Sequence, residues 1–452
     1  MCRYKFLLLI ICQLLNYQLS FGQQSVAKVL NVKDFGARGN GITDDYIPIQ
    51  KCIDEALKNQ KSKVIFPPGK YIISKGLVAH YIANDLEISG QVQNNIYPTV
   101  SCINPVSVLS IRGYLEPESI GTVSINNLNI KGAFGKFPYS KSNRFVNGNQ
   151  WYSGISVTDK KSAIVKNVNI SDIYGEGLYI STTKQVDIPL KARFNNVSVL
   201  DCKVINCWGY NPKSDDYGDG IYIADVSSAI IKNNLIQNNF SVTKQLGRCG
   251  IVIEFMAENC IVSGNKIFGY DRGIHLEADY GNHTISQNVI SGSDMGIVLF
   301  NSSIPGQNKP VKIIGNTVSN DGFPRLNGLK RTRDIQAISD RSLLNFEAAN
   351  NSRAGSLIEN NTFIISGNYD YFSNTIVNIK ADGLVIRNNK YEVRQPEKLK
   401  YPILYNNYSN SIPANDSFKG IRILKFKAKS KVEIDKVKRT NNLSSATLET
   451  NL

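Results

Sequence analysis

A four-residue phrase, glycine then aliphatic, any residue, aliphatic, recurs through the middle of the chain and constrains its fold more than any other feature. It reads Gly154-Ile-Ser-Val, Gly177-Leu-Tyr-Ile, Gly220-Ile-Tyr-Ile, Gly250-Ile-Val-Ile, Gly273-Ile-His-Leu and Gly296-Ile-Val-Leu, with intervals of 23, 43, 30, 23 and 23 residues between glycines. A second phrase, aliphatics leading into asparagine and another aliphatic, falls between, as in Ile230-Ile-Lys-Asn-Asn-Leu-Ile and Ile285-Ser-Gln-Asn-Val-Ile. Two short alternating strands per interval leave no room for a crossover helix. Alternation turns the two aliphatics of each phrase to one face and the residue between them to the other. A unit this small cannot bury its apolar face alone, so it must stack on its copies, strand on equivalent strand, at roughly 4.8 Å. Asparagine suits the tight turns, since it tolerates the left-handed conformation and its amides can stack in a ladder. A propeller blade needs four strands and roughly 40 residues, which these intervals do not supply. The pattern predicts a parallel β-solenoid.

The chain starts Met1-Cys-Arg-Tyr-Lys and runs into Phe6-Leu-Leu-Leu-Ile-Ile, with small residues at Ser20 and Gly22. A basic start, an apolar run too short to span a bilayer and a small-residue cleavage site predict a signal peptide over residues 1–22. The expected mature protein is exported, to the periplasm, cell surface or medium, and is not inserted in a membrane. The formal charge is +15 for the whole chain, and +13 once Arg3 and Lys5 are removed. Such a surface favours polyanions, and outside the cytoplasm an acidic or sulfated polysaccharide is the expected partner, met by a monomer. Nucleic-acid binding has no motif beyond this charge. Cys52, Cys102, Cys202, Cys207, Cys249 and Cys260 are too dispersed for a disulfide scaffold and lack metal-ligand spacing. Buried thiols are expected, with Cys249 and Cys260 the pair to check.

Ahead of the repeats stands Asn31-Val-Lys-Asp-Phe-Gly-Ala-Arg-Gly-Asn-Gly-Ile-Thr-Asp-Asp. A short amphipathic helix from Ile49 follows, then Lys63-Val-Ile-Phe-Pro-Pro-Gly-Lys-Tyr-Ile-Ile. Over residues 29–75 this resembles the opening of the pectate-lyase-like β-helix superfamily, which includes polygalacturonases, rhamnogalacturonases, exported lyases and phage tailspikes. The resemblance implies an all-β fold: a single-stranded right-handed parallel β-helix over residues 23–402, its open N-terminal end capped by the short helix. A cap is required physically, because a bare end coil exposes apolar core and an unpaired strand edge. Asp34, Asp44 and Asp45 then read as turn and cap residues rather than a carboxylate site. Residues 403–452 lose the repeat, carry Lys425-Phe-Lys-Ala-Lys-Ser-Lys, and are expected to be a C-terminal cap or basic tail, in part disordered. Residues 319–355 form an insertion without an assigned role.

Fold does not settle function, so the site is argued separately. The long intervals place extra residues just before the glycine phrase, at Trp208–Asp219 and Thr243–Cys249, and residues 132–153 form another wall. Insertions gathered on one side of a solenoid mark its binding face. Stacking the outward positions in register brings Glu254 and Glu277 to consecutive rungs, with His275 two residues before Glu277, Asp219 at the start of a phrase, and Arg248 and Arg272 just ahead of theirs. Adjacent carboxylates repel, so one should rise in pKa and serve as general acid while the other stays ionised. Paired acids are what glycosidic cleavage requires. Tyr179, Tyr222, Trp151 and Trp208 are candidate platforms for sugar rings.

The family comparison bears on one residue. Gly218-Asp-Gly-Ile-Tyr-Ile resembles the polygalacturonase strand that opens Asn-Thr-Asp-Gly, which implies that Asp219 is an acid. The family's Asp-Asp pair is Arg248-Cys249 here, and its Gly-His-Gly is Asp271-Arg272-Gly273. The first expectation is a glycoside hydrolase using Glu254 and Glu277, assisted by Asp219 or His275, with the arginines holding an anionic sugar and no cofactor. The second is a lyase in which an arginine or His275 abstracts the proton beside a uronate carboxylate, while Asp215, Asp216, Asp219 and Asp225 gather Ca²⁺. The third is a glycan-binding solenoid without catalysis.

Overall fold

The computed structural model describes residue 27 onward except 116–119, 134–150, 185–191, 210–216, 244–245, 301–308, 323–340, 349–351, 367–374, 399–403, 410, 412, 422, 427–434, 436–446 and 451–452. The expected signal segment, Asp215 and Asp216 therefore lie outside the described residues. Within them the chain winds as a parallel β-helix. Three sheets of 12, 13 and 13 strands run its length, and each strand between the sheet ends pairs with its equivalents one coil before and one coil after. One coil shows the plan: Cys260–Ser263 in the first sheet, Lys266–Phe268 in the second, and Tyr270–Glu277 in the third. The third sheet carries the glycine phrases and is called the site sheet below.

The inward aliphatics build one continuous core, with Ile251, Ile253, Ile274, Leu276, Ile297 and Leu299 of the site sheet all buried. The phrase begins with glycine because the chain turns a corner there against its own core. A Cβ at Gly250 would stand 2.4 Å from Ile267 Cγ2 and 2.7 Å from the Gly273 carbonyl oxygen.

The turn between the first two sheets uses two adjacent residues for two tasks that the sequence pattern merges. One residue takes the left-handed conformation: Asn233, Gly264, Gln287, Gly315, Asn360 and Asn388 all have φ between 56° and 65°. The next residue is a buried asparagine pointing inward. Asn234, Asn265, Asn288, Asn316 and Asn361 each donate from Nδ2 to Oδ1 of the asparagine one coil on, at 2.9–3.0 Å. The same Oδ1 also accepts the backbone N–H of the preceding ladder residue. The last amide, on Asn389, ends on the carboxylate of Asp416.

Burial pushes Asp416 up to about 7 despite these donors. A folded-state value above the unfolded one means stability that is full below the unfolded value and is lost as pH rises through the folded one. Asp225, lifted by burial to about 6, acts in the same sense. Asp416→Asn is therefore expected to flatten the decline in unfolding free energy between about pH 4 and 7. Within that window each pH step of one contributes up to about 1.4 kcal/mol to the difference between variant and wild type, measured by denaturant titration across pH.

The single longer helix among the described residues, Tyr46–Ala56, lies at the N-terminal end and buries Ile49, Cys52, Ile53 and Ala56. Asp45 is buried and accepts from the Arg38 and Gly39 backbone N–H groups at 2.7 and 2.9 Å, while Asp44 takes the Ser74 hydroxyl at 2.6 Å. Both act in the cap, as expected. At the other end the pairing does not stop at 402. Leu404–Asn407, Ile423–Phe426 and Thr447–Thr450 extend the site sheet and Ser417–Lys419 extends the second, so the residues expected as a cap or tail add coils. The six cysteines among the described residues are all buried. No helix among the described residues is long and apolar enough to cross a membrane.

Candidate active site

Register places the outward residues as the repeat implies. Ser156 pairs with Tyr179, Tyr179 with Tyr222, Tyr222 with Val252, Val252 with His275, and His275 with Val298. Two residues on, Thr158, Ser181, Ala224, Glu254 and Glu277 form a parallel row. Glu254 and Glu277 thus sit side by side on strands Gly247–Glu254 and Tyr270–Glu277, one rung apart.

They are joined by one imidazole. His275 Nε2 lies 3.2 Å from Glu254 Oε1 and 3.1 Å from Glu277 Oε2. The histidine side chain is 1% exposed, that of Glu254 13% and that of Glu277 50%. Phe300 closes over the ring edge-on, with centroids 5.3 Å apart. On the far side Arg272 Nη1 stands 3.4 Å from His275 Nδ1. A guanidinium only donates, so Nδ1 accepts and the ring proton belongs on Nε2, where it faces both carboxylates. The Tyr222 hydroxyl donates to the other oxygen of Glu254 at 3.0 Å.

Repulsion between adjacent acids predicts that one rises while the other stays ionised. Glu277 is the one held below the usual carboxylate range, first by the hydrogen bond from His275 and then by the fields of Arg272 and Arg248. The N–H interposed between the carboxylates and the two guanidiniums behind them outweigh the partial burial of Glu277.

The remaining expected residues divide. Arg272 reaches the site. Arg248 does so only through its field, because its Nε donates to Asp219 Oδ1 at 2.9 Å and its Nη2 to Asp219 Oδ2. Asp219 is fully buried and also accepts the Cys249 N–H at 3.0 Å, so it is no solvent-facing acid. Beneath it Glu176 accepts the Asp219 N–H at 2.8 Å, and burial followed by the Asp219 charge drives Glu176 well above its ordinary value. Trp208 is 1% exposed. It extends a strand of the second sheet beside Tyr174, edge to face at 4.9 Å, and is core rather than platform. Tyr222 is buried against Tyr179, the rings stacked at 4.9 Å and 10°, and its hydroxyl is committed to Glu254, so it positions the acid instead of presenting a face. Tyr179 is partly exposed, and Trp151 is 67% exposed.

The sequence pattern misses two further features. Phe300 stands in the register without a role, and a groove at His80, Arg112 and Thr183 reaches beyond the first glycine phrase toward the N-terminus. The groove's strand Leu109–Arg112 has the same alternation but no glycine, so the motif does not flag it.

The two expected calcium ligands within the described residues differ: the Asp225 Oδ1 is buried without a hydrogen-bond partner, while the other three oxygens are engaged. Both Asp219 oxygens are engaged by Arg248, and Asp225 Oδ2 takes Ser181 Oγ, Thr182 N and Thr182 Oγ1. Glu254, His275 and Glu277 offer ligand atoms within 4.8 Å of one another. An ion on Nε2 would move the ring proton to Nδ1, against the Arg272 guanidinium, so the donor set fits a hydrogen-bonded pair better than a metal.

The family model for a right-handed β-helix region matches residues 118–328. The chain is 23% identical over 391 residues to the uncharacterized Bacillus subtilis protein YclG, covering 71% of this chain and 66% of that one. It is 27% identical over 216 residues to alginate lyase 7 of Azotobacter vinelandii, covering 46% of this chain and 22% of the lyase. It thus spans under two thirds of either relative. Among solved structures, the Dettilon tailspike protein superposes with a TM-score of 0.52 at 14% identity, covering 94% of this chain and 68% of the tailspike. The catalytic unit of a GH87 α-1,3-glucanase from Streptomyces thermodiastaticus gives 0.50 at 14%, covering 95% and 68%. These likenesses are of fold.

Proposed function

The chain is a right-handed parallel β-helix, and from that premise we propose that it is an exported glycoside hydrolase of an acidic or sulfated polysaccharide, with Glu254 and Glu277 as its paired carboxylates. The observation that carries this reading is the single His275 N–H shared by two carboxylates on consecutive rungs of an open face. Similarity to proteins named for alginate and glucan chemistry supports a glycan substrate.

Glu277, the more exposed and ionised group, attacks the anomeric carbon. The glycosidic C–O bond breaks as Glu254, oriented by Tyr222, gives a proton to the departing oxygen. Water then returns a proton to Glu254 and its hydroxyl to the anomeric carbon, releasing Glu277. His275 holds the pair in register, and Arg272 fixes the histidine tautomer while favouring an acidic sugar nearby. The His-facing carboxylate oxygens lie within 4.8 Å of each other. That bound is short of the roughly 6.5–9.5 Å that accommodates a water for inversion. Products are expected to keep the anomeric configuration.

Likeness to an alginate lyase favours β-elimination as the second reading. That route asks His275 to abstract a proton, and its Nε2 already carries one. A screen of acidic and neutral polysaccharides, scoring reducing ends together with ultraviolet absorbance, tests both. New reducing ends without absorbance, unaffected by EDTA, are expected. Absorbing unsaturated ends would move the assignment to a lyase, and glycan binding without cleavage to a non-catalytic solenoid.

A further inference from the structure

A second concavity opens on the same face, four rungs toward the N-terminus from Glu254. It has a volume of about 370 Å³, and its lining includes Trp151, Arg112, His80, Tyr179, Thr182 and Thr183. The rungs between are Ile221–Ala224, Glu176–Ser181 and Ser153–Thr158, ending at Leu109–Arg112. At about 4.8 Å each they set Arg112, on the far side of the groove, roughly 19 Å from Glu254. The path is unbroken, because Glu254 holds Tyr222, Tyr222 stacks on Tyr179, and Tyr179 is itself a wall of the groove.

We propose that this groove is a remote subsite for an acidic sugar residue of the same chain that is cut between Glu254 and Glu277. The inference rests on the glycan-cleaving reading above and adds where the uncut part of the chain is held. Three observations support it. No carboxylate is among the described lining residues, whereas a guanidinium is. Arg112 is locked in place from behind: buried Asp159 accepts its Nε at 3.3 Å, and also accepts the Thr183 N–H and hydroxyl at 2.8 and 3.0 Å. Asp159 offsets part of the Arg112 charge, but its carboxylate is 1% exposed while the arginine side chain is 39% exposed, so a ligand meets the cation. Trp151 presents an indole to solvent at the rim, the flat half-apolar surface a pyranose ring covers well.

Contacts equally strong in the ground and transition states lower KM without raising kcat, and the proposed subsite, held rigid by Asp159 and away from the reacting bond, acts in this way on chains long enough to reach it. Trp151→Ala and Arg112→Gln are therefore expected to raise KM about tenfold for long uronate polymers, with kcat unchanged. For the shortest oligomers cleaved, KM is expected to stay at the wild-type value. The probes are size-graded oligosaccharides from polygalacturonate and alginate, with heparin-derived oligomers for the sulfated class. Unfolding midpoints of both variants are followed alongside, and the exposed Trp151 should leave its midpoint unmoved.

Equal loss on long and short substrates, or no loss on either, overturns the subsite while leaving the hydrolase reading intact. If the wild type cleaves none of the probes, the hydrolase reading fails and calorimetric binding decides the subsite. Binding of long acidic oligomers that weakens about tenfold in Trp151→Ala upholds it. Absence of wild-type binding sinks it.

Discussion

Replacing Glu277 by glutamine is expected to lower kcat/KM by a factor on the order of 10³ while leaving the fold unchanged, in line with the loss of a positioned acid–base or nucleophilic group. The side chain is half-exposed and supports no core contact, so circular dichroism and the unfolding midpoint should match the wild type. Glu254→Gln should fall comparably, and the double variant little further, because groups acting as a unit are not additive. Full activity in either single variant would remove the site. The electrostatics sharpen the prediction. Glu277 is depressed by its hydrogen bond to His275 and by the fields of Arg272 and Arg248. The acid limb of the kcat/KM profile should therefore lie below the ordinary carboxylate range in the wild type. In Arg272→Gln the favoured charge is gone, Glu277 becomes easier to protonate, and the limb should move to higher pH. A residue serving only the fold would lower activity without moving that limb.

The second large effect concerns stability. Asn288 sits mid-ladder and makes four bonds. Its Oδ1 accepts Asn265 N and Nδ2 at 3.0 Å each, and its Nδ2 donates to Val262 O at 2.9 Å and to Asn316 Oδ1 at 3.0 Å. In Asn288→Ala every partner stays buried and is left short. An unsatisfied buried polar group costs about 1–3 kcal/mol, so a loss of about 3–5 kcal/mol is expected in denaturant titration, among the larger effects of a single substitution. A loss below ~1 kcal/mol at Asn288 would mean that water or a shifted backbone replaces the amide.

The period, the alternation and the glycine corner are legible because each is a local consequence of stacking identical coils, and the cap motif at residues 31–45 is legible through its turn chemistry. Register then follows, so the Glu254–Glu277 adjacency can be read from the chain. What cannot be read is how the ends of side chains divide between partners. Arg248 stands two residues before its glycine and Arg272 one, in register with Cys249, and this one-residue offset separates them: Arg248 is spent on buried Asp219 and Arg272 reaches His275. Trp208 looks like part of an exposed insertion, but it continues the strand before that insertion. Which of the two acids stays ionised depends on an interposed ring that alternation alone cannot orient.

The ladder also has a direction. Every ladder Oδ1 takes its donors, a side-chain amide and a backbone N–H, from the coil before it, and the last acceptor is a carboxylate. Each turn therefore has donors that wait for the next length of polypeptide to wind on. A chain delivered N-terminus first therefore settles one coil behind its own growth, each turn closing only when the next coil has wound on. Removing the final coils should leave the last retained ladder amide without its acceptor and loosen the turn at the cut.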